Sequence, residues 1–599
     1  MRRLLIFGDM VRAVPSQEKL ATIAAALDEV SALDAGIVRH QALVAAFIEA
    51  AELAQGIADA EFDARQLELN SPGRDASMAL LLALASEIRN SWETGFRSNS
   101  DPIRSNRAVS ALSALLPDLS RMIHCKRAEG YAHYTLYPEA YLEAGLRLRI
   151  SGPLRVIGIR SIGVGLSALV ATAGNGTAPL SLRPIGHPFQ RTVAPGTEIT
   201  DTLLSDRAAS FAIVDEGPGL SGSSFGAVAD FLEENGVSRR RIHFFPSHAG
   251  DVGPEASEQH RIRWQAAARH VVDFDPLIVR STNPLHRLES WVADITGPCV
   301  APLEDVSFGR WRTHICRSEP DWPPAHVQHE RRKFLLRTQD GEWLLKFAGL
   351  GRVGSAKLPR ARALYDAGFS PEVAGYRHGF IVQRWVADAR PLRGGDIDRS
   401  ALVNYLGSYL GFRARHFETS DDQGASLPTL MGMARHNTAE VCGASLAQIF
   451  DDWIGCLPEL ERRVRRVETD NRLHGWEWLI SANGRLIKTD ALDHHAAHDL
   501  VGCQDAAWDI AGATVEFDLS SEEQYELRKL VERYSGKPVD RELLGFLLCC
   551  YLAFQLGYYE MAADTLGEIP DEAVRMHATA RRYRRKLEEY LTGANLDGL

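Results

Sequence analysis

The sequence lacks the features of secreted, membrane and zinc-ribbon proteins. Its eight cysteines are scattered without a CxxC pair, so neither a disulfide framework nor a zinc ribbon is indicated. No apolar run approaches the roughly 18 residues of a membrane span. In the opening MRRLLIFGDMV, Asp9 interrupts a short apolar run and no small-residue cleavage site follows. We therefore predict a cytoplasmic protein with reduced thiols and no membrane partner.

The sequence also lacks a basic excess. Its formal net charge is -11, which argues against a protein whose main activity is binding nucleic acid. With 45% hydrophobic and 24% charged residues, the composition is that of an ordinary globular protein. A chain of 599 residues is too long for one hydrophobic core and is expected to form several domains. The sequence leaves the oligomeric state open.

Changes in the residue pattern along the chain predict three parts. Apolar residues with helical spacing predict a helical N-terminal domain over residues 1–130. Short apolar runs alternate with Gly-rich turns and helical segments over residues 131–300, which predicts βαβ units and a parallel sheet. Residues 301–599 begin with hairpin-like strands around Asp340-Gly341 and continue as a mostly helical lobe. The predicted fold class is therefore α/β and α+β multidomain.

The stretch FAIVDEGPGLSGSSF, residues 211–225, combines an apolar strand, two acids and a small-residue loop. In an open α/β sheet, ligands lie at the carboxyl ends of the strands, where Asp215 and Glu216 fall. Adjacent carboxylates can accept hydrogen bonds from the two hydroxyls of a ribose. The backbone N–H groups of residues 217–224 open the next helix and can bind a phosphate. The alternative interpretation is a solvated strand end followed by an ordinary turn.

This stretch resembles the signature of type I phosphoribosyltransferases, with a spacer one residue longer than usual. The resemblance implies that Asp215 and Glu216 bind the ribose and that residues from Gly219 onward bind the 5′-phosphate. An upstream turn containing Arg160 would approach the pyrophosphate, and Arg183 would contact the anionic leaving group. Mg²⁺ would neutralise that group, with phosphoribosyl pyrophosphate as the substrate. The binding residues implied in these two loops are Ser161, Gly163, Gly165, Gly219, Ser221, Gly222, Ser223 and Ser224.

A second set of motifs lies in the C-terminal half. Lys346 lies on the predicted strand EWLLKFAG, and the hairpin WEWLISANGRLIKTD ends at Asp490 before the segment QDAAWDIAG. This order resembles the aminoglycoside phosphotransferase and protein kinase-like family. The resemblance implies that Lys346, Gln383 and Trp385 bind a nucleotide such as ATP, that Glu477 and Asp490 bind Mg²⁺, and that Asp509 supports the lobe.

The C-terminal half departs from the catalytic pattern of that family. Counting back from Asp490 puts Glu477 at the metal-binding Asn and Arg472 at the catalytic Asp. The base is therefore missing unless Asp470 or His474 replaces it. No Gly-rich phosphate loop precedes the hairpin.

The run TDALDHHAAHD also resembles a metal cluster, because His494 and His498 would share a helix face. No His-Glu-x-x-His pattern accompanies it, which favours an ordinary loop.

The main functional prediction is phosphoribosyl transfer to an unidentified small-molecule acceptor by a glycosyltransferase. The kinase-like half would bind a nucleotide or also act as a phosphotransferase. A first alternative is a non-catalytic nucleotide sensor, which the missing base favours. A second is a small-molecule kinase whose first domain only binds a sugar phosphate.

Overall fold

The structure is a computed structural model and describes residues 11–99, 102–115, 122–206, 208–420, 423–497 and 499–593. The opening residues 1–10 and His498 of the possible metal cluster lie outside this description.

A layer of helices forms the N-terminal part. Helix α2 lies at its centre, and its side chains are buried on almost every face. Ser71 starts α3 by accepting a hydrogen bond from the backbone N–H of Arg74, with Pro72 in the first turn. The elements are β1 (Val11–Pro15), α1 (Ser16–Ala32), α2 (Ile37–Arg65), α3 (Pro72–Glu93), α4 (Ile103–Leu115), β2 (Met122–Lys126), α5 (Glu129–Ala132) and α6 (Pro138–Arg147).

The predicted parallel sheet is present in the second part. Its strand order is β4-β3-β7-β8-β9, and each neighbouring pair is parallel. The central strand β7 is buried along its whole length, as expected for a strand covered on both faces. The elements are β3 (Leu154–Ile159), α7 (Gly163–Gly174), β4 (Leu180–Leu182), β5 (Ile185–His187), β6 (Gln190–Thr192), α8 (Thr197–Leu204), β7 (Ser210–Val214), α9 (Ser223–Glu234), β8 (Ile242–Phe245), α10 (Glu258–Ala266), β9 (Ala268–Arg269) and α11 (Leu288–Thr296).

An antiparallel five-stranded sheet follows, with the order β10-β11-β12-β14-β13. The predicted hairpin pairs Lys333 with Lys346 and Thr338 with Gly341. Gly341 has a φ of 121°, which favours glycine at the turn. The elements are β10 (Glu304–Asp305), α12 (Arg312–Ile315), β11 (Lys333–Thr338), β12 (Gly341–Phe347), α13 (Gly351–Ser355), α14 (Lys357–Asp366), β13 (Val373–Arg377) and β14 (Phe380–Arg384).

The last part is a helical lobe that contains two short sheets. The second predicted hairpin is present as β17 and β18, with Asn483-Gly484 between them. A reciprocal pair of hydrogen bonds between Ser520 and Glu523 starts α20. The elements are β15 (Arg390–Pro391), α15 (Arg399–His416), α16 (Leu427–Cys442), α17 (Ala444–Ala447), α18 (Leu457–Arg463), β16 (Arg466–Val467), β17 (Trp478–Ile480), β18 (Leu486–Lys488), β19 (Gln504–Asp505), α19 (Ala506–Glu516), α20 (Ser521–Ser535), α21 (Arg541–Thr565) and α22 (Pro570–Leu591).

One of the two large hydrophobic cores crosses both predicted domain boundaries. It contains Phe47 of α2, Val214 of β7 and Phe380 of β14, which lie in the three predicted parts. A second core fills the helical lobe around α21. The first two parts and the antiparallel sheet therefore pack as one mass beside that lobe, and the three-domain division stays a prediction.

Two helices, α2 and α21, are long and apolar enough to cross a membrane by length and composition alone. However, 83% and 89% of their most apolar windows are buried inside the protein. Both helices occupy the position of core helices.

Candidate functional site

Two cavities lie next to each other near the middle of the molecule. The first, of about 230 Å³, is a cleft between the antiparallel sheet and the helical lobe. The second, of about 850 Å³, lies at the carboxyl edge of the parallel sheet. His133 and Glu330 line both cavities. The two predicted sites therefore share a wall.

Lys346 and Asp490 meet at the cleft from opposite lobes. Lys346 lies on β12, Asp490 follows β18, and the Lys346 Nζ is 2.5 Å from the Asp490 Oδ1. Burial disfavours the charged carboxylate, but Lys346 and His494 outweigh it and hold the pKa of Asp490 well below its usual range. Asp490 is therefore ionised at neutral pH and faces the cavity.

The rear of the cleft is lined by the connection between the lobes. Gln383 is the buried next-to-last residue of β14, and Trp385 and Val386 follow the strand into the cavity wall. Leu344 of β12 and Leu479 of β17 line the cavity from the two lobes. Three of the predicted nucleotide contacts, Lys346, Gln383 and Trp385, are thus brought together around one space with apolar walls.

Asp509 holds the segment that precedes the second hairpin. Its carboxylate accepts hydrogen bonds from the backbone N–H groups of Asp470 and Asn471, at 2.8 and 3.0 Å. Asn471 has a φ of 62°, so the chain turns sharply there and directs Arg472 toward the cavity. Asp509 thus lies in the supporting position that the motif predicts.

Asp470 and His474, the two possible substitutes for the missing base, both interact with other side chains of the protein. Asp470 is fully buried, accepts a hydrogen bond from Tyr409 and lies 3.5 Å from Lys488. Burial opposes its charge, but Lys488 outweighs burial and lowers the pKa of Asp470 far below its usual value. His474 is 3.2 Å from Glu516, and hydroxyl groups of α21 and α22 contact its two ring nitrogens.

The predicted metal ligands Glu477 and Asp490 both line the cleft. Lys488 lies 2.6 Å from Glu477 Oε2 and Lys346 holds Asp490 Oδ1, so one oxygen of each carboxylate has a cationic partner. The other oxygen of each carboxylate is a hard donor of the kind that Mg²⁺ prefers.

The run around His494, which resembles a metal cluster in sequence, has a different environment from the Glu477 and Asp490 carboxylates. Carboxylates of Asp490 and Asp470 outweigh burial and raise the pKa of His494 to about 9. Both ring nitrogens of His494 lie within 3.5 Å of a carboxylate oxygen, that of Asp470 on one side and that of Asp490 on the other.

A long connection replaces the Gly-rich loop. Residues 306–332, here called the strap, join β10 to β11 and line the cleft through Trp311, Ile315 and His326. The strap is tied to the opposite lobe by Arg312, whose guanidinium lies 2.6 Å from Glu572 of α22. Sequence reasoning missed this segment, because its residues match no phosphate-binding motif.

The second cavity contains the two predicted acids. Asp215 and Glu216 follow β7 and are half-buried in its wall, beside Ser161 after β3 and His248 after β8. Burial raises the pKa of Asp215 to about 7. Burial together with the Asp215 charge raises the pKa of Glu216 to about 8. The backbone N–H of Gly130 donates to Glu216. The acids are thus near a cavity, as the motif predicts.

The small-residue loop after these acids is hydrogen-bonded to Pro188, upstream in the chain. The hydroxyls of Ser221 and Ser223 both donate to the carbonyl oxygen of Pro188, at 3.2 and 2.6 Å. Gly219 and Ser224 line the cavity, whereas Gly222, with a φ of 62°, provides the bend before α9. Two of the predicted phosphate-binding hydroxyls are therefore already hydrogen-bonded within the protein.

The upstream residues also have structural partners. The buried guanidinium of Arg160 lies 2.7 Å from Glu68 and 3.1 Å from Asp59. Arg183 forms an ion pair with the same Asp59.

Gly163 and Gly165, the two glycines of the upstream turn, allow close packing. A side chain at Gly163 would collide with the carbonyl oxygen of Val214, and one at Gly165 would collide with Ala51 of α2. The structure thus uses these positions to join the helical layer to the sheet.

Comparisons with known proteins were made with the sequence and with the fold. No family profile and no curated protein matches the sequence. Among solved structures, choline kinase LicA from Streptococcus pneumoniae is 16% identical over 42% of this chain and 89% of its own, with a TM-score of 0.29. A choline/ethanolamine kinase family protein from Mesorhizobium loti is 15% identical over 44% and 90%, with a TM-score of 0.30. The aminoglycoside phosphotransferase APH(4)-Ia is 14% identical over 49% and 98%, with a TM-score of 0.27.

These findings correct the main functional prediction. The neighbours described above are kinases and phosphotransferases, so the assignment as a phosphoribosyltransferase and glycosyltransferase is wrong. Phosphoribosyl pyrophosphate has no support as a substrate. The geometry gives a physical reason why the predicted contacts to phosphoribosyl pyrophosphate are not available. Arg160 forms ion pairs with buried carboxylates, and the Ser221 and Ser223 hydroxyls are hydrogen-bonded to Pro188. In the C-terminal half, Lys346 and Asp490 face each other across the cleft.

Proposed function

We propose that the protein is a small-molecule phosphotransferase that binds a nucleotide in the cleft between the antiparallel sheet and the helical lobe. The observation that carries this proposal is the 2.5 Å contact between Lys346 and Asp490 at the mouth of an apolar pocket. A purine ring would lie between Leu344 and Leu479, and Gln383 and Trp385 line the same cavity. AMP is bound in a structure of the choline kinase LicA, which is consistent with this proposal.

Each charged residue of the cleft would have a different role in binding the phosphates. The ammonium of Lys346 would contact phosphate oxygens, and Asp509 would keep the Asp470–Arg472 turn in place. Glu477 and Asp490 would hold Mg²⁺. When bound, this ion neutralises charge that develops on the phosphates. The strap would exclude water from the cleft in place of a Gly-rich loop.

The second cavity fits a polar small molecule bound without group transfer, such as a sugar phosphate. Asp215 and Glu216 offer hydroxyl-binding carboxyl groups, and Lys126, Arg191 and Arg332 bring positive charge to the same wall. In this proposal, residues 1–130 and 131–300 form the ligand-binding part and residues 301–599 form the cytoplasmic kinase-like part.

Binding of ATP and ADP to the full-length protein tests the proposed function. We expect calorimetry to detect both nucleotides, and K346M to weaken their affinity by about tenfold, since a charge-assisted contact contributes roughly 1.5–3 kcal/mol. K529M is the matched control, because Lys529 is an exposed residue of α20. Absence of nucleotide binding to the unmodified protein would refute the proposal.

A second candidate function is a non-catalytic nucleotide sensor. It is favoured by the engagement of Asp470 and His474 elsewhere, which leaves no familiar base beside the cleft. Transfer of labelled γ-phosphate separates the two functions. Nucleotide binding without transfer to any acceptor, including the anionic ones considered below, would favour the sensor.

A further inference from the structure

In the count back from Asp490, Arg472 falls at the position of the catalytic Asp of the kinase-like family, and its side chain lines the cleft. Its guanidinium donates to the Tyr558 hydroxyl through Nη2 at 3.0 Å and lies 3.6 Å from Asp499. Among the described residues, no acceptor is found for its Nε and Nη1 donors. Because Arg472 lines the cavity with 26% of its side chain exposed, these donors are available to a ligand.

The carboxylates around Arg472 are paired with cations. Asp499 lies 3.9 Å from His329 in addition to its contact with Arg472. Asp493 lies 2.7 Å from Arg331 and 3.2 Å from Lys357. A carboxylate held by a cation has a reduced affinity for protons, which makes it a poor general base.

The position of Arg472 also disfavours a cationic acceptor. Its guanidinium lies over the ring of Tyr558, 5.1 Å from the centroid, where a ligand cation would otherwise stack. A cationic acceptor would have to approach this fixed positive charge. By contrast, a carboxylate or phosphate can accept paired hydrogen bonds from a guanidinium.

We propose that the acceptor in this cleft is an anionic oxygen nucleophile, either a carboxylate or a phosphate group, bound by Arg472. This inference rests on the phosphotransferase function proposed above. An acceptor O⁻ attacks the γ-phosphorus of ATP and forms a new O–P bond. The bond between the γ-phosphorus and the bridging oxygen breaks, and ADP leaves with its electron pair. Since the nucleophile carries no proton, the step needs no base, and the product is an acyl phosphate or a phosphoanhydride.

Binding measurements with small anions test the role of Arg472. Succinate and inorganic phosphate are titrated into the full-length protein saturated with a non-hydrolysable ATP analogue. We expect R472Q to weaken binding of at least one probe by about tenfold, while its nucleotide affinity stays within about twofold of the unmodified protein. R415Q makes the same change at an exposed residue of α15. It is expected to bind the anion probes and the nucleotide as the unmodified protein does. Equal anion binding by R472Q, or none by the unmodified protein, overturns the inference while nucleotide binding still supports the proposed function.

Turnover distinguishes the two acceptor classes. An acyl phosphate formed from a carboxylate is trapped as a hydroxamate by hydroxylamine, whereas a phosphoanhydride is identified by phosphorus NMR. The inference expects one of these products and expects D499N to retain its formation. Transfer to the hydroxyl of choline or an aminoglycoside that D499N abolishes would instead identify Asp499 as a base and overturn the inference.

Discussion

The guanidinium of Arg312 in the strap and the carboxylate of Glu572 on α22 form a buried 2.6 Å ion pair. Arg312 also donates to the carbonyl oxygen of Pro323 at 2.8 Å, and Glu572 accepts the backbone N–H of Ala325 at 3.3 Å. The ion pair is thus the centre of a hydrogen-bonded joint between the strap and the helical lobe. Its integrity determines whether the cleft stays covered.

We expect E572Q to loosen this joint, because it leaves the Arg312 guanidinium buried without a counter-charge. Breaking a buried pair in this way costs about 3–5 kcal/mol. Limited proteolysis with trypsin checks the result, since cleavage at the exposed Arg317 of the strap should accelerate. E319Q is the control: Glu319 joins the strap to Arg575 of α22 but is 60% exposed, so its loss should have little effect. Equal cleavage rates for both variants would contradict the prediction.

Asp509 is expected to stabilise the turn that carries Arg472. In D509A the backbone N–H groups of Asp470 and Asn471 lose their buried acceptor. Each unsatisfied buried group costs about 1–3 kcal/mol, so with two such groups the free energy of unfolding should fall by roughly 2–6 kcal/mol. Nucleotide affinity should fall with it. D509N keeps one acceptor oxygen and should show a smaller loss in thermal unfolding. A D509A protein as stable as D509N would contradict the prediction.

The local elements of this fold could be predicted from sequence because their signals are local. Alternating apolar runs and turns identified the parallel strands, and Asp340-Gly341 and Asn483-Gly484 identified the two hairpins. The acid pair after β7 was also correctly placed at a cavity, since the carboxyl ends of parallel strands share one edge.

The partners of the site residues could not be predicted, because they come from distant segments. Arg312 and Glu572 are separated by 260 positions, and Arg472 and Tyr558 by 86. The small-residue loop suggested free serine hydroxyls, yet Ser221 is hydrogen-bonded to Pro188, 33 positions upstream. A motif specifies which groups are present, but the tertiary contacts decide which of them remain available to a ligand.

Glu139 joins the helical layer to the antiparallel sheet and is expected to be a main stabilising residue. Its Oε1 lies 2.7 Å from His40 Nε2 and 2.9 Å from His378 Nε2, and all three side chains are buried. Burial opposes ionisation, but the two histidines outweigh it and hold the pKa of Glu139 well below its usual range. A lowered folded-state pKa contributes stability above the unfolded carboxyl pKa, and this contribution is lost as the pH falls.

We therefore expect E139Q to lower the thermal midpoint at pH 7 by an amount that corresponds to about 1.5–3 kcal/mol, the contribution of a hydrogen bond to a charged group. The difference from the unmodified protein should shrink as the pH falls below about 4.5, the ordinary Glu range. E522Q, at an exposed position in the first turn of α20, is the matched control and should change little. A pH-independent difference would show that the charge of Glu139 is not the cause.

Asp215 and Glu216 should make stability fall as the pH rises. Their folded pKa values, about 7 and about 8, lie above the usual carboxyl range because of burial and, for Glu216, the neighbouring Asp215. A raised folded-state pKa contributes stability that is present at low pH and is lost as the pH rises through that value. The protein should therefore lose stability between about pH 4, where these carboxyl groups ionise in the unfolded chain, and about pH 8, where both are ionised inside the cavity wall.

The double variant D215N/E216Q cannot ionise at these positions, so its thermal midpoint should change less over the same range. Relative to the unmodified protein, it should gain at least about 1 kcal/mol between pH 4 and pH 8, since one pKa unit corresponds to about 1.4 kcal/mol. D201N, at an exposed position of α8, controls for loss of negative charge in the same part of the chain. Parallel pH profiles for the unmodified protein and the double variant would mean that both acids are ionised throughout and that cations such as Lys126 and Arg191 compensate them in the cavity.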